Sequence, residues 1–425
     1  MPVSALVITY NCGRVLIDPA TFASYIFSKL PKPELPPELL VLCLQEVAPI
    51  AYAFLGGSYL QPYLNNAKRA VDLAADAFDE NIYVNIASAN VGMTAISVFA
   101  RQDFVKNVED SSNAGVGVGL WEMGNKGAAG VRINVSIDNI SSSLTFISTH
   151  LAAMESARER RNEDWANIAR GLVFEHTQPN PPNPEAEETE TSPLLSPSQS
   201  SLYDPSTHLF VAGDLNYRTA STSPTDADIL LFPQPSEDES YPQHYWHLLS
   251  SDQLTAELKA GRTCQGLTEE AIDFPPTYKY SDGARKDVRD GKVKAETMDE
   301  YGDGRRWEWA SHRWPSWCDR VLYRSSASGP KVKAYAALPL MATSDHRAVA
   351  CAFEISGGRS EEDGGGQEIP FEINPRWKER RTAARRREVV VGVSALLTTT
   401  WEALWALAAL VVLLILLSSG FFFWG

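Results

Sequence analysis

Four short apolar runs, each closing on a polar or charged side chain, constrain this chain more than any other feature. ALVITYNC carries Asn11 near its end, LLVLCLQE closes on Glu46, SLTFISTH on His150 and THLFVAGD on Asp214. Short runs of this kind, rich in Val, Ile and Leu, read as buried strands. IYVNIAS, TAISVFAR, VGVGLWE, AAGVRINVSI and AVACAFEI predict further strands. Two segments change period. From Tyr63 to Asp79, Leu64, Ala67, Val71, Ala74, Ala75 and Phe78 fall at helical spacing, and Glu155 to Glu175 is charged and apolar at the same period. Residues 1–355 therefore hold the pattern of a folded domain.

Other stretches do not fit that pattern. Residues 178–206 contain PNPPNPEAEETETSPLLSPSQSS, where Pro, Glu and Ser dominate and little can pack, which predicts a mobile surface loop. Residues 356–368 (SGGRSEEDGGGQE) predict a Gly-rich acidic linker. With the basic segment RWKERRTAARRRE it fills residues 356–388. From Ala403 to Gly425 no residue is charged, and roughly 20 apolar residues span a bilayer core. Trp401, Trp405 and Trp424 lie near the ends of this stretch, where amphipathic rings favour the interface. The sequence predicts a single C-terminal transmembrane helix, a membrane anchor over 389–425 with its core span at 403–425. The basic residues before it place the preceding chain in the cytosol. A formal net charge of −15 argues against a general nucleic-acid binder, which needs a basic face. Five scattered Cys without a CxxC read as reduced thiols and offer no zinc framework.

The polar residues at the strand ends carry the chemistry. Asn11, Glu46, His150, Asp214 and Asn216 end strands, Asp319 follows Trp317-Cys318, and Asp345-His346 precedes AVACAFEI. Alone, each reads as a cap, a turn or a hydrogen-bonded structural residue. Gathered at one mouth of a sheet they suit phosphate-ester hydrolysis. Glu46 and Asn11, with Asp345 as a third candidate, are hard oxygen ligands suited to Mg²⁺. Asp214 can position and deprotonate an attacking water, with Asn216 holding it or a phosphate oxygen. His346, oriented by a carboxylate such as Asp319, can donate to the phosphate, and His150 can bind the same group.

Nine motifs in order now identify a resemblance. They are TYNCG, LQE, GNKG at 124–127, STHLAA, RNEDW from Arg161, GDLNYR at 213–218, PPTYKY at 275–280, RWPSWCDR at 313–320 and SDH at 344–346. From about Leu6 to Phe353 the chain resembles the inositol polyphosphate 5-phosphatases of the deoxyribonuclease I-like superfamily. The resemblance implies a four-layer α/β sandwich, two packed mixed sheets flanked by helices. It implies a magnesium ligand at Glu46 with Asn11 beside it, a water-activating pair at Asp214 and Asn216, a catalytic His346 oriented by Asp319, and a phosphate contact at His150. Lys126, Tyr278, Lys279 and Arg313 match residues around a 4-phosphate; Asn125 and Arg218, inside GNKG and GDLNYR, complete the substrate-binding candidates. One departure stands out: Ser311 replaces a Lys that family members often carry two residues before the Arg of RWPSWCDR, which puts the handling of the 4-phosphate in doubt. Gly13-Arg14 replaces a commoner small-residue continuation, with little expected effect.

The implied activity is Mg²⁺-dependent removal of the 5-phosphate from phosphoinositides, first phosphatidylinositol 4,5-bisphosphate, with the 3,4,5-trisphosphate lipid and soluble inositol phosphates as further substrates. The expected partners are phosphoinositide lipids and a membrane, not nucleic acid, and the expected location is the endoplasmic reticulum with the catalytic domain cytosolic. Two other readings compete: a nuclease of the same superfamily, and an inactive phosphoinositide-binding tether. A thiol-nucleophile phosphatase is rejected, because Cys318-Asp319-Arg320 lacks the CxxxxxR spacing of a phosphate-cradling loop.

Overall fold

The computed structural model describes residues 2–30, 35–76, 78, 82–175, 200–300, 306–324, 329–357 and 370–399, and a few positions between 405 and 415. Eleven strands form two mixed sheets among these residues. In the first, six strands run in the order β10 (Lys331–Ala337), β11 (Val349–Ile355), β1 (Val3–Asn11), β2 (Leu39–Gln45), β4 (Thr94–Arg101), β3 (Tyr83–Val91). In the second, the order is β5 (Val108–Gly117), β6 (Gly127–Ile137), β7 (Ile140–His150), β8 (Thr207–Asp214), β9 (Asp319–Tyr323). Each sheet holds one parallel pair, β1 with β2 and β7 with β8. The parallel pairs are the runs that the sequence marks most strongly, because such strands are apolar on both faces.

Alternation along the strands sorts side chains between layers. In β1, Val3, Ala5 and Val7 face the other sheet, whereas Leu6, Ile8 and Tyr10 face the helical layer. In β8, Phe210 and Ala212 point between the sheets and Leu209 and Val211 point outward. Phe210 stacks on Phe146 at 5.0 Å and meets Phe353 of the opposite sheet edge-on at 4.9 Å. Helices α1 (Pro19–Ile26), α2 (Ile50–Leu55) and α3 (Gln61–Ala75) cover the first sheet. Asp18 caps α1 by accepting from the Thr21 amide, and Pro19 opens its first turn. Helix α4 (Arg158–Gly171) covers the second sheet through Trp165, Ile168 and Ala169. The result is the expected four-layer α/β sandwich.

Several boundaries differ from those read in the sequence. VGVGLWE is the end of β5 and then a tight turn, Leu120–Glu122, in which Trp121 and Glu122 both have positive φ. Most of the stretch 178–206 lies outside the described residues, but its last part packs: Leu202 and Tyr203 are buried, Ser201 bridges to Val173, and the Trp165 indole donates to Tyr203 at 3.2 Å. These two side chains are an apolar pair at the end of the run. The basic segment is built into the fold as well. Residues Trp377–Thr399 form one helix, crossing the boundary placed at 388, and its Ala384, Glu388 and Gly392 are buried. Gly392 allows close approach to α2, since a Cβ there would lie 3.1 Å from both Phe54 and Leu55 side chains. The span expected at 403–425 lies largely outside the described residues, and among the described residues no helix is long and apolar enough to cross a membrane.

Candidate active site

Strand register brings the polar ends together. Asn11 pairs with Gln45, so Glu46 follows at the same edge of the first sheet. In the second sheet His150 lies beside Asp214 on one side and Gly127 on the other, and Asp214 faces Asp319. Stacked sheets put both edges at one mouth. A cavity of about 330 Å³ opens there, lined among others by Asn11, Arg14, Glu46, Lys126, His150, Asp214, Asn216, Arg218, Tyr278, Lys279, Asp345 and His346.

Asp214 is the hub. It is 1 % exposed, accepts from Asn11 Nδ2 at 2.9 Å, and lies 3.2 Å from His150 Nε2 and 3.9 Å from His346 Nε2. Its Oδ1 accepts from the Asn216 amide at 3.1 Å, a bond that Asn216 reaches with φ of 58°. Burial would raise this carboxyl, but His346, His150 and Lys126 outweigh it and hold Asp214 well below the usual carboxylate range. A buried carboxylate held ionised by cations is a base whose proton affinity rises as those charges are engaged elsewhere.

His346 sits on a second carboxylate. Its Nδ1 lies 2.9 Å from Asp319 Oδ2, which also accepts from Thr277 Oγ1 at 2.7 Å. Burial lowers the imidazole, yet Asp319 and Asp214 raise it to about 9, so His346 is an imidazolium at neutral pH. Its ring lies tilted against Tyr278 with centroids 4.5 Å apart, and the Arg218 guanidinium lies over the Tyr278 ring at 4.4 Å. Ser344 ties this loop to β1 by donating to the Asn11 carbonyl at 2.6 Å and accepting from the His346 amide at 3.1 Å.

Glu46 follows β2 with φ of 45° and side-chain exposure of 20 %. Burial raises it, while His150, Arg14 and Lys126 together bring it below its ordinary value. Arg14 Nε donates to its Oε2 at 2.7 Å, and Lys126 Nζ stands 4.0 Å from its Oε1. Lys126 also contacts His150 Nε2, and burial lowers both groups. This donor set suits a hard divalent ion. Oxygen donors from Glu46, Asn11, Asp214 and Asp345 line the cavity and no Cys does. Among the described residues, Asp214, Asp319 and His346 bring metal-capable atoms within 4.8 Å of one another. Asp345 is turned to Lys279, with which it pairs.

Two of the candidate substrate residues stand apart from the cavity lining. Arg313 donates to Glu155 at 3.1 Å and packs on Met154. Asn125 turns its Oδ1 against Gly119, where a Cβ would lie only 2.0 Å away. Their motifs mark the turns but not which way a side chain leaves them. Arg14 and Thr277 were not singled out as site residues. Thr277 lies within PPTYKY, whereas nothing in the sequence announces that Arg14 meets Glu46.

The comparisons with known proteins agree with this geometry. A family model described as endonuclease/exonuclease/phosphatase family 2 matches residues 8–352. The type I inositol polyphosphate 5-phosphatase 13 of Arabidopsis thaliana is 32 % identical over 310 residues, covering 67 % of this chain and 25 % of that protein. The polyphosphatidylinositol phosphatase INP53 of Saccharomyces cerevisiae is 27 % identical over 320 residues, covering 75 % of this chain and 24 % of that one. The chain thus spans about a quarter of the length of the curated relatives it matches. The crystal structure of the inositol polyphosphate 5-phosphatase domain of SPsynaptojanin, in complex with inositol (1,4)-bisphosphate and calcium ion, aligns with a TM-score of 0.59 at 21 % identity over 93 % of each chain. At that identity the likeness speaks for the fold.

Proposed function

Because the chain belongs to the endonuclease/exonuclease/phosphatase family 2, we propose that it is a phosphoinositide 5-phosphatase that uses Mg²⁺ and acts first on phosphatidylinositol 4,5-bisphosphate. The observation that carries this reading is the buried Asp214, ringed by Asn11, His150 and His346 and opening on the same cavity as Glu46.

Each residue has a task in cleaving a phosphomonoester. Asp214 orients a water and takes its proton, with Asn216 fixing the Asp214 carboxylate through its backbone amide. His346, cationic through Asp319, donates to the phosphoryl oxygens as charge builds on them, Lys126 adds charge from the other sheet, and the buried His150 beside it hydrogen-bonds to the same group. Lys279, Tyr278 and Arg218 bind the neighbouring ring phosphate. Glu46 and Asn11 would hold the divalent ion, which supplies positive charge to the leaving alkoxide. A local set of cations inside an acidic molecule reconciles a polyanionic substrate with a net charge of −15. The uncharged stretch 403–425 supports attachment to a membrane, the endoplasmic reticulum first, with the site on the cytosolic face.

The test is a product assay. The chain, given short-chain phosphatidylinositol 4,5-bisphosphate, releases the 5-phosphate with Mg²⁺ and not with EDTA. Asp214→Ala lowers the rate by about 1,000-fold or more while lipid binding persists. Nicking of plasmid DNA without phosphate release would favour the nuclease reading instead.

A further inference from the structure

A buried carboxylate far along the chain is wired to two walls of the active site from behind. Glu388 lies on the C-terminal helix Trp377–Thr399 and is 0 % exposed, although it follows a run of arginines. Its Oε1 accepts from the Gly124 amide at 2.9 Å and from Arg381 at 2.8 Å, and its Oε2 faces Arg385 at 3.3 Å. Burying a carboxylate is costly unless it is paired and hydrogen-bonded. The two arginines are partly exposed and can find anions at the surface. What the burial of Glu388 adds is the bond to Gly124.

Gly124 starts the turn that carries Asn125 and Lys126. Its carbonyl accepts from the Met93 amide at 2.8 Å, and the Met93 carbonyl accepts from Val47, next to Glu46, at 3.2 Å. Gly124 and Gly92 touch backbone to backbone: a Cβ on Gly124 would lie 2.7 Å from Gly92 N, and one on Gly92 would lie 2.4 Å from Gly124 O. Arg385, on the same helix, donates to the Phe54 and Leu55 carbonyls at the end of α2, the helix that begins four residues after Glu46. The hydrogen-bond path from Glu388 thus reaches the turn that carries Lys126 and the residue that follows Glu46 without entering the cavity.

We propose that Glu388 is a positioning residue for the phosphate-cleaving centre, fixing the Gly124–Lys126 turn and, through Met93, the segment that bears Glu46. The assignment rests on the 5-phosphatase reading of that centre. A displacement of about 1 Å in such a group costs up to about 100-fold in rate.

The test uses the full chain in detergent with soluble inositol 1,4,5-trisphosphate, Mg²⁺ titrations, and hydrogen exchange over residues 119–126. Glu388→Ala raises KM and the Mg²⁺ half-saturation each about fivefold and speeds exchange in 119–126. Glu388→Gln, which keeps an oxygen for Gly124, stays within about twofold of the parent in all three. An Ala variant that matches the parent in KM, half-saturation and exchange overturns the proposal, and so does a Gln variant as impaired as Ala. If Glu388→Ala does not fold, Glu388→Asp decides on the same readouts, because it keeps the charge beside the arginines but draws it back from Gly124. If the parent chain releases no phosphate, the functional reading fails; faster exchange in the Ala variant then still establishes the brace, and unchanged exchange removes it.

Discussion

Asp319 does its work through the ring beside it. With His346 raised to about 9, the imidazolium persists through neutral pH, and activity that needs it falls as pH rises through that value. Asp319→Asn removes the charge that raises it, so the alkaline limb of kcat/KM moves down to about pH 7 while the acid limb stays. A pH–rate profile of the variant checks this; an unmoved alkaline limb would separate His346 from the titration. Most of these residues are legible in the sequence because each closes an apolar run, and a strand end fixes position without any knowledge of side-chain direction. Direction is what the sequence withholds. Arg313 and Asn125 sit in family motifs yet face Glu155 and Gly119, and Arg14 meets Glu46 from a turn that looks unremarkable in composition. Glu388 is the extreme case, since one Glu behind a basic run reads as a solvated i,i+3 partner of Arg385 and not as a buried acceptor.

At the scale of elements, the parallel pair β7–β8 sets the spacing between His150 and Asp214. Gly213 makes that pairing tight: a Cβ there would come within 1.9 Å of the Thr149 carbonyl. Gly213→Ala therefore forces the strands apart, and thermal or denaturant unfolding should show a loss of about 3 kcal/mol, with turnover lost beyond what stability explains. The core strands were readable because burial on both faces leaves an unbroken apolar signature. β9 and β10 were harder, since β10 is an edge strand carrying Lys331 and Lys333 and β9 is only five residues long. In the sequence the helix Trp377–Thr399 is a basic juxtamembrane segment followed by the start of the anchor, because its arginines look solvated, while what docks it is a narrow face of Ala384, Glu388 and Gly392. A face made of small residues and one acid gives almost no hydrophobic periodicity to detect.

For the molecule as a whole, the docked helix leads toward the uncharged stretch that the sequence marks as an anchor. Removing residues 401–425 should shift the chain from the membrane pellet to the supernatant while phosphate release from a soluble inositol phosphate stays within about twofold. Retention in the pellet after truncation would place the attachment elsewhere. The proposed chemistry draws carboxylates from both halves of the sandwich: Glu46 leaves the six-stranded sheet, and Asp214 and Asp319 belong to the five-stranded one. Neither layer owns the reaction. Phosphate release is then a gauge of how the halves are seated, and mild denaturant that lets them slide should abolish it while circular dichroism still reports intact strands.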